Sequence, residues 1–174
     1  MAKNIVLCGF MGSGKTVVSK KLARRLGMER VDSDQCIVER AGKSISDIFA
    51  QDGEEAFEAL QRQVVEELSR REGIIIATGG GVVLRRENVE ALRRNGIIFY
   101  LHPSLRRLRF NLMNDHSRPR LEVPNKAQMI EKLSRERDPL YRAAADHVID
   151  GDRLGETVNR IIAIYQESEE HDTV

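Results

Sequence analysis

The run Gly9-Phe10-Met11-Gly12-Ser13-Gly14-Lys15-Thr16 limits what this chain can fold into more than any other feature of it. It satisfies G-x-x-x-x-G-K-[ST]; four apolar residues, Ile5 to Cys8, precede it as a strand, and Lys15 to Leu26 follow with apolar residues at helical spacing. In a strand-to-helix loop of this kind the glycines let successive backbone N–H groups turn inward. The helix N-terminus adds partial positive charge, so a triphosphate finds donors in place of its hydration shell. On this reading Gly12, Ser13 and Gly14 cradle the phosphates of a nucleoside triphosphate, and Lys15 meets the β and γ phosphates. The Thr16 hydroxyl completes the shell of a Mg²⁺ ion shared with the nucleotide.

The rest of the chain repeats the strand-then-helix rhythm. Unalternated apolar runs at Ile74 to Ala77, Ile97 to Leu101 and His147 to Ile149 suit strands buried on both faces, with Arg30-Val31 a shorter candidate. Between them Glu54 to Arg71, Arg86 to Arg94, Lys126 to Ala144 and Leu154 to Gln166 carry apolar residues at helical spacing. Strands alternating with helices predict an α/β fold on a parallel sheet. No repeat or long linker divides the sequence, so residues 1–174 read as one domain. Met113 to Asn125 is irregular and polar, and reads as a mobile lid. Residues 167–174, polar and acidic, read as a frayed tail.

Charge and apolar content exclude several partners. With 28 basic against 27 acidic side chains the net charge is +1, which gives no electrostatic reason to bind nucleic acid or an anionic membrane. The longest apolar runs fall far short of the ~18 residues that span a bilayer. Ile5 to Cys8 is too short for a signal-peptide core of about 7–15 residues. The chain is therefore expected in the cytoplasm, acting as a monomer on small molecules. Cys8 and Cys36 lack metal-ligand spacing and read as reduced, structural thiols. The histidines, His102, His116, His147 and His171, are scattered without pairing and read as solvated or helix-end residues.

Many phosphate-loop proteins complete the metal shell with an aspartate at the end of a later strand, but here Ile74 to Ala77 runs into Thr78-Gly79-Gly80-Gly81. Asp32-Ser33-Asp34 follows the second short strand instead, where the carboxyl ends of parallel strands face the ligand crevice. On an extended segment, side chains two apart share a face, so both carboxylates would point at one site. A solvated turn or a helix N-cap is the simpler account of the same pair. Asn125-Lys126-Ala127-Gln128 lacks the final acid of Asn-Lys-x-Asp, which disfavours a GTPase.

Gly9-x-Met11-Gly12-x-Gly14-Lys15-Thr16, Asp32-x-Asp34, Ser44-Ile45-x-x-Ile48-Phe49, Gly53-Glu54, Thr78-Gly79-Gly80-Gly81, Arg118-Pro119 and Arg137-x-Pro139-Leu140-Tyr141 come in the order and approximate spacing found in shikimate kinases. The chain resembles that family over about residues 3 to 165. The resemblance implies a nucleoside-monophosphate-kinase-like fold, with a five-stranded parallel sheet in order 2-3-1-4-5 flanked by helices, and ATP-dependent phosphorylation of the shikimate 3-hydroxyl. It also implies roles for individual residues: Asp34 at the accepting hydroxyl, Arg137 at the substrate carboxylate, Gly79, Gly80 and Gly81 as backbone lining the substrate pocket. Asp32 would stand with Thr16 near the metal, and Arg118 would be the lid arginine that swings onto the transferring phosphoryl group.

The sequence departs from the family pattern in two places. After Gly53-Glu54 the family usually reads Phe-Arg-x-x-Glu, its arginine on the substrate carboxylate, whereas this chain reads Phe57-Glu58-Ala59-Leu60-Gln61. Either Glu58 enters the pocket and repels a carboxylate, or Arg62, one turn on, supplies the cation. Upstream of the lid, Asn111 stands where an arginine usually packs on adenine, and Arg109 is the nearby substitute. Two other functions stay open on the sequence: a kinase of the same fold acting on another small hydroxylated metabolite, as gluconate-type kinases do, and a nucleotide-binding regulator without turnover.

Overall fold

Strand β1 (Asn4–Cys8) is buried along its whole length because it has a parallel neighbour on either side and helices over both faces. The computed structural model describes residues 1–172, so Thr173 and Val174 of the expected tail lie outside the described residues. β1 pairs with β3 (Ile74–Ala77) and β4 (Gly96–His102); β2 (Glu29–Asp32) adds outside β3, and β5 (His147–Asp150) outside β4. The order is β2-β3-β1-β4-β5 and every pairing is parallel, as the family resemblance implies. The register Ile5 with Ile75 and Ile97, then Val6 with Ile76 and Ile98, lines β-branched side chains across three strands.

The pleat divides these residues between two cores. Ile5, Leu7, Ile75, Phe99 and Ile149 face α1 (Lys15–Leu26) and α8 (Leu154–His171) through Val18, Leu22, Val158 and Ile161. Val6, Cys8, Ile76, Ile98 and Tyr100 face the other way. There they meet α4 (Glu54–Ser69), α5 (Arg86–Arg93), α6 (Leu105–Leu112) and α7 (Lys126–Ala144). Each fully buried Val, Leu or Ile contributes about 1.5–3 kcal/mol. Cys8 lies within the second core, and burial pushes its thiol up to about 12, so it stays protonated and unreactive.

Three helices lie outside the runs of apolar residues at helical spacing, the first of them around Cys36, which reads as a helical residue. α2 (Ser33–Ala41) starts between the carboxylates of Asp32 and Asp34, and α3 (Ile45–Gln51) is only seven residues long. Each begins on a side-chain cap, Asp32 for α2 and Ser44 for α3, which satisfies first-turn amides that apolar periodicity does not report. In α6, Leu105, Leu108 and Leu112 mark one face but arginines crowd the intervening positions. The tail corrects the expectation in the other direction. Helix α8 runs to His171, so residues 167–171 are helical rather than frayed, because this end is tied back to the first strand. Tyr165 Oη donates to Lys3 O (3.1 Å), Lys3 N–H donates to Glu169 Oε1 (3.1 Å), and Lys3 Nζ pairs with Asp172 (2.6 Å). Among the described residues no helix is long and apolar enough to cross a membrane.

Candidate functional site

The strand order reverses at β1, and the phosphate loop leaves its carboxyl end at that switch point, where parallel sheets open a ligand crevice. A cleft of about 640 Å³ lies there, lined by Met11 to Val17, Asp32, Asp34, Ala77 to Gly80, Asn111, Arg118 to Arg120 and Arg137. Two features of the loop suit an anion. The first turn of α1 has no side-chain cap, unlike α2 and α6, so its amides are open to a ligand. Ser13 Oγ is buried without a hydrogen-bond partner, a polar group that a phosphate oxygen would satisfy. Lys15 Nζ folds back on its own loop, donating to Gly9 O (2.5 Å) and Phe10 O (3.1 Å). Burial lowers its pKa to about 8, with the Arg118 charge acting in the same direction and Asp34 and Asp32 opposing it.

The loop is braced from α6. Gly12 has φ +76°, and a Cβ there would come within 2.8 Å of Leu112 Cγ, so only glycine fits over that side chain. Asn111 Nδ2 donates to Gly12 O at 2.8 Å. Asn111 thus holds the loop from a position on the cleft wall. Arg109, the expected substitute for a base-packing arginine, is engaged elsewhere: its Nη2 bonds Glu131 Oε2 on α7 at 2.6 Å, and it does not line the cleft.

Asp32 and Asp34 both line the cleft, but not by sharing one face of an extended segment as expected. Asp32 ends β2 and caps α2, its Oδ1 accepting from Asp34 N–H (2.9 Å) and Gln35 N–H (3.2 Å), while Asp34 sits in the first helical turn. The chain turns into helix at once because Asp32 supplies the cap, so the cap and the cleft use the same residue. Ser33 between them is fully buried and its Oγ accepts from Gly79 N–H at 2.9 Å, which docks the Gly79–Gly81 turn onto α2. That contact brings the Asp34 carboxylate against the α-carbon of Gly79, where a Cβ would lie 2.2 Å from Oδ1. Burial and the neighbouring Asp32 charge raise the Asp34 pKa above its ordinary value, against the pull of Lys15 and Arg118.

On the far side of Gly79, Arg137 Nη1 lies 3.6 Å from where a Gly80 Cβ would be, and Tyr141 Oη, one turn on in α7, donates to Gly80 O at 2.9 Å. Tyr141 is fully buried; it belongs to the Arg137-x-Pro139-Leu140-Tyr141 motif, but the sequence assigns it no role, and its spacing of four from Arg137 is what places the two on one face of α7. Gly81 lies just outside the cleft, with Gln61 Nε2 4.0 Å from where its Cβ would be. Neither expected fate of Glu58 is what the structure holds. Glu58 forms an ion pair with Arg85, at the start of α5, and does not line the cleft. Arg62 is exposed and also lies outside the cleft lining, because α4 turns it to solvent while Gln61 faces inward.

The polar segment from Met113 to Asn125 is more structured than its composition suggests. Pro119–Leu121 forms a 3-10 turn whose Leu121 is completely buried in the core. Arg118, just before it, is exposed, lines the cleft, and holds Asp115 Oδ2 through Nε at 3.4 Å. Lys15, Thr16, Asp32, Asp34, Gly79, Gly80, Arg118 and Arg137 are thus brought to one cleft. It offers a phosphate cradle with a lysine at one end and a desolvated carboxylate beside an arginine at the other, which is an arrangement for moving a phosphoryl group onto a small polar acceptor.

A family model described as shikimate kinase matches residues 11–166. The shikimate kinase of Methylococcus capsulatus is 42% identical over 168 residues, 95% of this chain and 94% of that protein. The shikimate kinase of Aromatoleum aromaticum is 44% identical over 149 residues, 86% of this chain and 85% of its own. Among solved structures, a shikimate kinase from Acinetobacter baumannii in complex with shikimate superposes with a TM-score of 0.84 at 36% identity, covering 98% of this chain and 95% of that one.

Proposed function

Because the chain belongs to the shikimate kinase family, we propose that it transfers the γ-phosphoryl group of ATP to the 3-hydroxyl of shikimate, giving shikimate 3-phosphate and ADP. The observation that carries this reading is the convergence of Lys15, Asp34, Arg118 and Arg137 on one cleft beside an uncapped phosphate loop. The backbone of Gly12, Ser13 and Gly14 holds the phosphates, and Lys15 leaves its loop carbonyls to meet the β and γ oxygens. Arg137 receives the acceptor's carboxylate bidentately, and Gly79 and Gly80 let the ring approach the backbone. Asp34 orients the 3-hydroxyl. As the bond from that oxygen to the γ-phosphorus forms, the bond from phosphorus to the β,γ-bridging oxygen breaks, ADP keeps the electron pair, and the hydroxyl proton passes to Asp34. Arg118 closes onto the equatorial oxygens and stabilises their charge.

A Mg²⁺ ion fits this site only together with the nucleotide. Among the described residues no group of three His, Cys, Asp or Glu side chains would hold a metal alone. Thr16 and Asp32 are the ligands the chain offers: both line the cleft, and Asp32 Oδ2, not used in the helix cap, has Arg30 Nη2 at 3.7 Å. When bound, the ion neutralises charge on the β and γ oxygens. The Glu58–Arg85 pair bears on the acceptor, since Glu58, paired with Arg85 and outside the cleft lining, does not repel a carboxylate held by Arg137. The chain is taken to work in the cytoplasm as one kinase domain and a monomer, its two cysteines free.

Coupled ADP release with shikimate, and with a panel of polyols and hydroxy acids, tests the assignment. ADP release is expected to depend on shikimate and to be at background with the panel; release with a neutral polyol and none with shikimate would assign a different acceptor. The Lys15 environment adds a pH signature. Free enzyme loses the Lys15 proton near pH 8, so kcat/KM for ATP, which reports free-enzyme groups, should fall about tenfold per pH unit above that value. Bound phosphates stabilise the ammonium and raise its pKa, so kcat should hold to higher pH. A kcat/KM for ATP that is flat to pH 10 would show that Lys15 keeps its proton in the free enzyme and that burial does not lower its pKa.

A further inference from the structure

We propose that Lys126 is a positioning residue that fixes the hinge of the lid and so governs delivery of Arg118; this rests on the reading of Arg118 given above. Lys126 is the first residue of α7, where its charge faces the positive end of the helix dipole, and it is 9% exposed. Neither placement favours a lysine, so its stabilisation comes from what it touches. Its Nζ donates to Met113 O (3.2 Å) and Asp115 O (2.7 Å) and pairs with Glu122 Oε1 (3.3 Å). Met113 is the C-cap of α6, so the ammonium closes the negative end of that helix from a different element.

The same atom therefore grips both ends of the lid. Met113 and Asp115 are held at its start, Glu122 and the buried Leu121 at its end, and the exposed span between them is His116 to Arg120, with Arg118 at its centre. Asp115 is the pivot: its carbonyl is held by Lys126, while its carboxylate accepts from Ser117 N–H (2.9 Å) and holds Arg118 (3.4 Å). With its base fixed, the span closes as a short hinge and brings Arg118 to one place.

Lys126→Met is expected to lower kcat about tenfold with KM for ATP and shikimate within about twofold, and Lys126→Arg, which can reach the same carbonyls, to restore most of it. Because Lys126 acts through Arg118, Lys126→Met with Arg118→Ala should be no slower than Arg118→Ala alone; a purely structural lysine would give losses that multiply. Amide exchange over residues 113–122 of the free protein should quicken about tenfold in Lys126→Met and stay unchanged in the body of α7. This last measurement needs no acceptor, so it decides the hinge even if the wild type fails to phosphorylate shikimate. Wild-type exchange, wild-type kcat or multiplicative losses would each overturn the proposal. Should the methionine variant not fold, Lys126→Gln is read by the same criteria.

Discussion

Lys15→Met is expected to lower kcat by at least ~10²-fold while the fold persists, since loss of a charged transition-state contact is worth about 3 kcal/mol or more. In the free protein Lys15 makes two bonds to loop carbonyls, at Gly9 and Phe10, and both would be lost. Lys15 itself lines the cleft, so water can reach the place its ammonium leaves, and removing a desolvated charge offsets the missing bonds. Thermal unfolding should therefore move by only a few degrees. The kinetic loss has no such compensation: methionine fills the same volume but leaves charge on the moving phosphoryl group without its partner in a water-excluded site. ADP-release kinetics and a melting curve on the same preparation check both halves. Near-normal turnover in a folded variant would refute the site.

The phosphate loop and the central strands were legible because their signals are local. Ile5 to Cys8, Ile74 to Ala77 and Lys126 to Ala144 fall within a residue or so of β1, β3 and α7, since an unalternated apolar run or a long helical stripe states its own burial. What the sequence hid depends on partners distant in the chain. Helix α8 continues to His171 because Lys3 and Tyr165 meet across the fold, and no feature of residues 167–171 announces that contact. Glu58 is similar. Its position on α4 was clear, but its engagement by Arg85 required the turn after Gly81 to bring α5 beside α4. Arg62, taken as the substitute cation from helical spacing alone, faces solvent because Gln61, Val64 and Val65 set the buried side of α4. Asp32 illustrates a subtler limit. From the sequence, helix cap and metal-side carboxylate compete as accounts of Asp32, but one carboxylate has two oxygens, and Oδ1 caps α2 while Oδ2 stays outside the cap.

Asp34→Asn should produce a comparable kinetic loss, on the order of 10²–10⁴-fold in kcat, the range for removing a positioned general base. Asparagine keeps the shape and one acceptor oxygen, so the acceptor should still bind and KM should change little. What is lost is the charge that draws the hydroxyl proton as the bond to phosphorus forms. The effect on stability has the opposite sign. The Asp34 pKa is raised in the fold by burial and by Asp32, so its ionised form costs stability above the folded pKa, a cost absent below the unfolded value. The neutral amide removes that cost at pH 7, and Asp34→Asn should melt no lower than wild type, and higher if the amide keeps the contacts of the carboxylate it replaces. Gly79→Ala approaches the same carboxylate from the other side. A methyl group there would sit 2.2 Å from Oδ1 and 2.7 Å from Cγ, inside any tolerable contact, so either Asp34 swings away or the turn held by Ser33 shifts. In both cases the base leaves the hydroxyl, and kcat should fall ~10-fold or more through geometry with the charge intact. The two variants separate charge from placement: a neutral but well-placed residue in the first, a charged but displaced one in the second. If Gly79→Ala retains wild-type kcat while Asp34→Asn does not, contact with the Gly79 backbone is not what positions Asp34, and its orientation must come from α2 alone.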